Sequence, residues 1–469
     1  MEKRSKTYIE EPDRGMYDIK NDFNYDFKAE SGLTEDIIRE ISAKKGEPEW
    51  MLKFRLESLA IYNKLDVPTW APDITDLDID NIVTYVKPKA AMQTNWEDVP
   101  EDIKNTFERL GIPEAERTSL AGVGAQYDSE VVYHSIKDEM TRQGVVYTDI
   151  HTALLEHEDL VKEYFMKLIP NTDHKFAALH GAVWSGGSFV YVPEGVQVDI
   201  PLQSYFRLNA PGAGQFEHTM IIVEKNAKCH FIEGCSAPKY SVNNLHAGAV
   251  ELYVKEGATL RYSTIENWSK NMYNLNTKRA SVEKNGTIEW VSGSFGSKVG
   301  MLYPMSILKG EYARAEFTGI TFAGKGQILD TGCKVVHAAP HTTSTVNSKS
   351  ISKSGGQAIY RGLLRVAPNA YGCKSTVTCE SLMLDNISRS DTIPVIDIEN
   401  DDVDMGHEAK IGRISEEAIF YLMTRGISEE EAKAMIVRGF VEPISKELPL
   451  EYAVEMNNLI TLELEGTIG

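Results

Sequence analysis

The hydrophobic positions change period along the chain, and the change divides it. Residues 1–30 are polar, with Gly15 and several Asp and Asn, and read as an irregular arm. Two helices follow. Thr34 is placed to N-cap the first, with Ile37, Ile38 and Ile41 on one face. Pro48 suits the first turn of the second, where Leu52, Leu56 and Leu59 share a face. Pro68 and Pro72 end that pattern. A further helix opens near Pro100, with a stripe of Ile103, Phe107 and Leu110 that stops at Gly111. Val161, Tyr164, Phe165 and Leu168 mark another, closed by Pro170. These stripes read as core faces and carry no chemistry.

From about Phe189 apolar and β-branched residues alternate, broken by small turn signals. FVYVPEGVQVDIPL turns at Gly195, IIVEKNAKCHFIEG at Asn226, ELYVKEGATLRYST at Gly257 and ASVEKNGTIEWVSG at Gly286. SILKGEYARAEFTGI, KVVHAAPHTTSTVN and LLRVAPNAYGCKSTV continue with turns at Gly310, Pro340 and Asn369. A unit of strand, turn and strand, repeated roughly every two to three dozen residues, predicts a β-solenoid whose coils bury their apolar faces on their neighbours. A β-sandwich fits locally, but such even spacing is awkward for it. The last region begins near Pro394 and turns helical after Ile414. Ser415 and Gly426 bracket one helix. Ser428 with Glu431 forms a capping box for the next, which Gly439 ends. Pro449 introduces a third, carrying Tyr452, Val454, Met456, Leu459 and Ile460. The expectation is a mainly β chain with helical ends. Residues 1–170 form an arm and helices, 171–393 a parallel β-helix core, and 394–469 a helical domain.

At 469 residues the chain exceeds one ordinary core. Hydrophobic residues at 42% and charged residues at 25% describe a soluble globular protein. No apolar run is long enough to cross a membrane. The opening MEKRSKTYIEEPDRG lacks the apolar segment of a secretory signal, so a cytoplasmic location is expected. Five cysteines, an odd number without framework spacing, fit a reducing compartment. A net charge of −20 argues against nucleic acid as a ligand. There is no Cys-x-x-Cys, hence no zinc ribbon or ferredoxin-type run. There is no phosphate-binding G-x-x-x-x-G-K-[ST] loop either, so any nucleotide is handled elsewhere.

The stretch Tyr371 to Ile414 holds the densest candidate chemistry. It contains Cys373 and Cys379 and ends in the pair His407 and Glu408. Thiol, imidazole and carboxylate are iron-ligand types. On spacing alone a buried cysteine beside a surface His-Glu pair is favoured.

Longer runs change that balance. TCESLMLDN, PVIDIENDDVDMGHEAKIGRI and RGISEEEAKAMIVRGFVEPISKELPLEYAVEMNNLI resemble the SufB/SufD family of the SUF iron–sulfur cluster assembly system. So do SGLTEDIIREISAKKGEPEWMLKFRLESL near the N-terminus, and YFRLN and FIEGCSAP in the middle. The resemblance covers nearly the whole chain. The cysteine of TCESLML and the run EPEWMLKFR favour the SufB branch over SufD.

The resemblance implies a right-handed parallel β-helix and a scaffold, not an enzyme. Such a scaffold accepts sulfur and iron, builds a transient iron–sulfur cluster of undetermined type, and passes it to apo iron–sulfur proteins. Implied partners are SufD through the β-helix, the ATPase SufC through the C-terminal helices, and a cysteine-desulfurase sulfur donor. A reduced flavin bound by the complex is left open. Cys379, with Glu408 and His407, matches the cluster-assembly site, and Cys235 the sulfur acceptor. Arg207, Asn209, Glu266, Trp268 and Lys278 match the sulfur path.

Two positions depart from the enterobacterial branch. Gly406 stands where that branch has a glutamate before the histidine, and Glu266 where it has glutamine. A carboxylate beside a persulfide anion is unfavourable. Glu266 is therefore expected to be protonated or paired, with Lys278 as partner, or the path differs. Cys229, Cys333 and Cys373 read as packing, with a second ligand the alternative for Cys373, and His246, His337 and His341 read as structural, His337 being an outside candidate for the site. Three other readings stand beside the scaffold: a SufD-like partner subunit, a purely structural β-solenoid and a polysaccharide-active β-helix enzyme. The missing signal peptide and the lack of a tight acidic set in the repeats count against the last.

Overall fold

The structure is a computed structural model and describes residues 18–22, 25–110, 120–448 and 450–465. Its centre is a β-solenoid of about eight turns, with helices at both ends of the chain. Among the described residues the strands form one sheet of ten, one of fourteen and a two-stranded pair, Tyr25–Lys28 with Val86–Pro88. The ten-stranded sheet stacks one strand from each coil in parallel, from Leu202–Arg207 through Lys228–Ser236, Thr259–Asn267, Thr287–Phe295, Arg314–Ala323, Thr343–Ser352 and Cys373–Met383 to Val403–Arg413. The larger sheet begins as two columns. One contains His218–Val223, Ala249–Val254 and Thr277–Val282, the other Asn244–His246, Met272–Asn274 and Val299–Leu302. They fuse at the long strand Gln357–Val366, which pairs Ile328–Thr331 with its first half and Lys334–His337 with its second.

Alternation decides which side chains point inward. Phe231, Tyr262, Trp290, Phe317, Val346 and Val377 lie in register across six coils and share one buried interior cluster. Burying each such side chain contributes about 1.5–3 kcal/mol, which is why coils stack and do not stand alone. On the outer face Ile232, Ile265, Val291, Ile320 and Ile351 pack against Val437, Val441, Ile444, Met456, Leu459 and Ile460 of the C-terminal helices.

At one corner of the solenoid, successive coils turn through a residue in the left-handed region. These are Gly195, Asn226, Gly257, Asn285, Tyr312, His341 and Gly372, and the N–H of each bonds a carbonyl of the next coil's turn. The first three are the turns expected from sequence. The later ones fall beside, not on, Gly286, Gly310, Pro340 and Asn369. A left-handed Tyr or His costs roughly 1–2 kcal/mol. Ring stacking offsets this: Tyr312 lies on His341 at 5.1 Å, and His341 meets Tyr371 edge-on at 5.1 Å.

At the N-terminal side, Thr34 caps helix Glu35–Lys45 by accepting from the Ile37 N–H, and Gly46 ends it in the left-handed region. Pro48 is the N-cap of Glu49–Tyr62. Helix Glu101–Arg109 follows Pro100, and its expected stop at Gly111 lies outside the described residues. Val161 and Tyr164 belong to the short helix Glu158–Tyr164, which ends before Phe165 and Leu168. Strands reach beyond the span expected for the core. Gly122–Tyr127 pairs with Leu202–Arg207, and Arg389–Ile398 and Val403–Arg413 add a further coil past Pro394.

The helices begin where expected after Ile414. Ser415 accepts from the Ala418 N–H and Ser428 from the Glu431 N–H. Gly439 does not end the second helix, which runs Glu429–Ser445 through Gly439 and Pro443. Val437, Val441 and Ile444 are buried on the solenoid wall, and that packing outweighs the breaker residues. Pro449 lies outside the described residues, and the third helix spans Leu450–Glu465.

Candidate functional site

Cys379 sits on strand Cys373–Met383, paired with Ser348 on one side and Ala409 on the other. It is buried on the inward face with Val377. His407 lies on the neighbouring strand Val403–Arg413 opposite Val377, so it faces the same way, and its Nε2 is 3.5 Å from Cys379 Sγ. Burial pushes the Cys379 thiol up to about 12, against a smaller lowering from a hydrogen bond with Tyr360. A cavity of about 270 Å³ opens here, lined by Cys333, Tyr360, Met405 and His407 among others.

Glu408 is not brought to Cys379. It stands opposite Thr378, on the outer face, exposed, with Lys410 at 3.1 Å. Consecutive residues of a strand point to opposite sides, so His407 and Glu408 cannot both reach one inward thiol. Gly406, also outward, meets nothing within 4 Å of its would-be Cβ, so a larger residue fits there without a clash. Cys373 is buried against Thr342 and Ala339, consistent with packing. Cys333, assigned to packing from sequence, instead lines the cavity, and the Cys379 thiolate raises it further beyond the effect of its own burial.

Cys235 lies in the same sheet, nearer the N-terminal end. It pairs with Phe206 and Glu266 and is fully buried. Burial, then Glu233, Glu217 and Glu266, raise its thiol well above the usual range, and Lys278 acts the other way. Glu233, two residues earlier and on the same face, has Oε1 at 4.0 Å from Cys235 Sγ. Lys278 Nζ reaches Glu233 at 3.2 Å, Thr264 Oγ1 at 3.0 Å and Glu266 at 3.5 Å. Glu266 is thus paired with Lys278, as one of the expected alternatives has it, and it also accepts from Asn274 at 2.7 Å. Tyr262 donates to Glu233 at 2.6 Å. Trp268 is buried and packs on His246, which bonds Glu217 and, at 2.7 Å, Asn274.

Arg207 and Asn209 stand at the corner beside Cys235. Arg207 Nη1 bonds Ser236 Oγ at 3.0 Å and Nη2 the Ile19 carbonyl at 2.7 Å. Asn209 Oδ1 accepts from the Asn21 N–H at 3.3 Å. The arm therefore covers both. Glu233 and Glu217 were not singled out from sequence. The signal was there: Glu233 shares the parity of Cys235 in FIEGC and so had to enter the interior with it. Of the histidines read as structural, His337 is held by Thr342 at 2.8 Å and Ser344 at 3.0 Å.

The two cysteine sites are joined by register. Glu233, Thr264, Ser292, Gly319, Ser348 and Cys379 follow one another across paired strands. Beside them runs Cys235, Glu266, Ser294, Thr321, Ser350 and Ser381. Five strand spacings of about 4.8 Å put Cys379 roughly 24 Å from the Glu233 position. The rows pass from charged groups to hydroxyls and glycine. A void of about 10 Å³, room for about one water, lies among Ser292, Ser294, Gly319, Thr321 and Ser348.

A sequence model described as the SufBD protein N-terminal region matches residues 39–204. One described as SUF system FeS cluster assembly, SufBD core domain, matches residues 206–440. The chain belongs to the SufBD family. The iron–sulfur cluster assembly protein SufB of Bacillus subtilis (strain 168) is 55% identical over 94% of this chain and 95% of its own length. An iron–sulfur cluster assembly SufBD family protein of Staphylococcus aureus (strain MRSA252) is 53% identical over 98% of this chain and 99% of its own. As the SufBD resemblance implied, the chain's business is iron–sulfur cluster assembly, and its solenoid is the expected parallel β-helix. Among the described residues no helix is long and apolar enough to cross a membrane. No group of three or more metal-binding side chains is preassembled among them.

Proposed function

We propose that the chain is the scaffold on which a labile iron–sulfur cluster is built, with sulfur entering at Cys235 and the cluster forming at Cys379. The observation that carries this is the pair Cys379 and His407, 3.5 Å apart, with His407 lining a cavity on the last coil. One thiolate and one imidazole hold iron less firmly than four thiolates, which suits a cluster that must leave. The free edge of strand Val403–Arg413 supports pairing with a second solenoid, which SufD would supply. Glu408, now outward, joins the ligands only if that pairing turns the strand. SufC would dock on the C-terminal helices, where Phe420, Tyr421 and Met423 are exposed, and its ATP hydrolysis would drive the turn. The cluster is cargo for apo iron–sulfur proteins, and a flavin would act only as the complex's reductant.

At Cys235 the thiolate attacks the outer sulfur of a donor persulfide. The donor leaves as thiolate and Cys235 becomes the persulfide. Glu233 is placed to take the thiol proton. A small-molecule thiolate would then take the outer sulfur from Cys235, which leaves as thiolate, and the Cys379 thiolate would take it from that carrier persulfide, the carrier leaving as thiolate. Lys278 and the hydroxyl rows favour the anionic carrier, with Arg207, Asn209 and Trp268 forming the entrance.

The test is to supply a cysteine-desulfurase donor and map persulfide by mass spectrometry. Label is expected on both cysteines of the wild type, on Cys235 alone in Cys379→Ala, and on neither in Cys235→Ala. Label on Cys379 without Cys235 overturns the route.

A further inference from the structure

A pocket of about 100 Å³ lies on the outer wall of the solenoid, and neither Cys235 nor Cys379 lines it. Its walls are Trp70, from the segment after the second helix, and Tyr303, whose rings meet edge-on at 5.9 Å. Arg279, Met305 and Lys334 follow one another in register along one side.

The cations here differ in how they are satisfied. Arg279 bonds Asp173 at 2.7 Å and the Leu168 carbonyl at 2.6 Å. Arg361, stacked over Trp70 at 4.7 Å, bonds Asp330 at 2.7 Å. Lys334 has only the face of Tyr303, at 4.9 Å, and no carboxylate within ion-pair distance among the described residues. Burial and the neighbouring Arg279 and Arg361 press its ammonium below the usual lysine range, although Asp173 and Asp330 oppose this. Beside it, Asn276 is 3% exposed, and neither its amide nitrogen nor its oxygen has a hydrogen-bond partner among the described residues. An orphaned buried amide costs about 1–3 kcal/mol. An unpaired cation and an unused buried donor in one recess are the complement of an anion's oxygens.

We propose that this pocket binds a small oxyanion, carboxylate or phosphoryl, with Lys334 as counter-charge and Asn276 Nδ2 as directional donor. At about 100 Å³ the pocket is some ten times the one-water void beside Ser292, which admits a head group of about four or five heavy atoms. Trp70, 47% exposed, offers a flat face to anything attached to that group. Lys278, which bonds Glu233 near Cys235, also borders the pocket, but the test reads anion binding directly and does not depend on cluster assembly.

The full chain is titrated with inorganic phosphate, acetate and adenosine monophosphate, following heat and tryptophan fluorescence. Saturable binding is expected for at least one, weakened about tenfold or more in Lys334→Met and in the isosteric Asn276→Asp. Trp70→Phe should remove the fluorescence change and keep the heat. Tighter binding of the nucleotide than of phosphate identifies the phosphoryl group of an aromatic ligand. Binding of phosphate or acetate alone identifies a free oxyanion. If Lys334→Met lowers the unliganded thermal midpoint, Asn276→Asp decides. No saturable heat up to about 10 mM of any probe, or binding unchanged in Asn276→Asp, overturns the proposal.

Discussion

Two neighbours in sequence, His407 and Glu408, have different environments because a strand alternates its side chains. His407 faces Cys379 and Glu408 faces solvent. His407→Ala should therefore lower cluster yield in the single chain, while Glu408→Gln leaves it unchanged there and matters only in the assembled complex. Iron and sulfide content of the two forms checks this. Glu233 carries a second prediction. Glu233→Gln removes a charge that raises the Cys235 thiol, so the thiol titrates lower. Yet sulfur uptake should slow about 100-fold, because the proton acceptor is lost. Parallel measurements of alkylation against pH and of persulfide formation separate the two effects; uptake that speeds up would remove Glu233 as the base. A third concerns Asp128, whose carboxyl is raised to about 7 by burial, against the N–H groups of Ala210 and Asn209. Its native form holds a proton that the unfolded chain has lost, so stability falls as pH rises from about 4 through 7. Asp128→Asn keeps an acceptor and removes this loss. It should stabilise the protein by on the order of 2 kcal/mol at pH 8 and little at pH 5, read from denaturant midpoints.

Among the elements, the arm at residues 18–22 covers the corner beside Cys235 through Ile19 on Arg207 and Asn21 on Asn209. Deleting residues 1–22 should speed labelling of Cys235 by a thiol reagent several-fold, with Cys229 as the buried internal control. Equal rates would show that the arm does not limit access. The C-terminal helices show where local sequence signals were insufficient. Gly439 looked like a stop because isolated glycine weakens a helix by about 1 kcal/mol. Three buried side chains one turn apart, Val437, Val441 and Ile444, exceed that cost. The turn ladder shows the same limit. Gly195, Asn226 and Gly257 were readable because residue type and backbone agree there. At Tyr312 and His341 ring stacking between coils holds the backbone, and no local signal marks it. The outward placement of Glu408 in the single chain is likewise not marked locally. The resemblance joins His407 and Glu408 in one site, and only the strand Val403–Arg413, past the expected end of the core at residue 393, turns them to opposite faces.

At the scale of the whole molecule, the solenoid was legible because its period spans many coils and each supplies the same evidence. What the repeat does not show is where it ends. Among the described residues the last coil presents a free edge at Val403–Arg413, and on strand Arg389–Ile398 the apolar side chains Ile393 and Val395 are exposed on one face. Such an edge invites pairing with another chain. On the proposed pairing, Ile393→Lys should abolish association with SufD, read by co-purification, without lowering the thermal midpoint of the isolated chain. Cys379 stands one strand inside that edge, so the proposed pairing surface and the proposed cluster site adjoin.

The central claim is that Cys379 holds the cluster. It is tested by co-expressing the chain with its SUF partners, purifying anaerobically, and comparing iron, sulfide and visible absorption of wild type and Cys379→Ala. A cluster in the wild type, lost in the variant with the complex intact, is the predicted result. Equal iron and sulfide in both would contradict it.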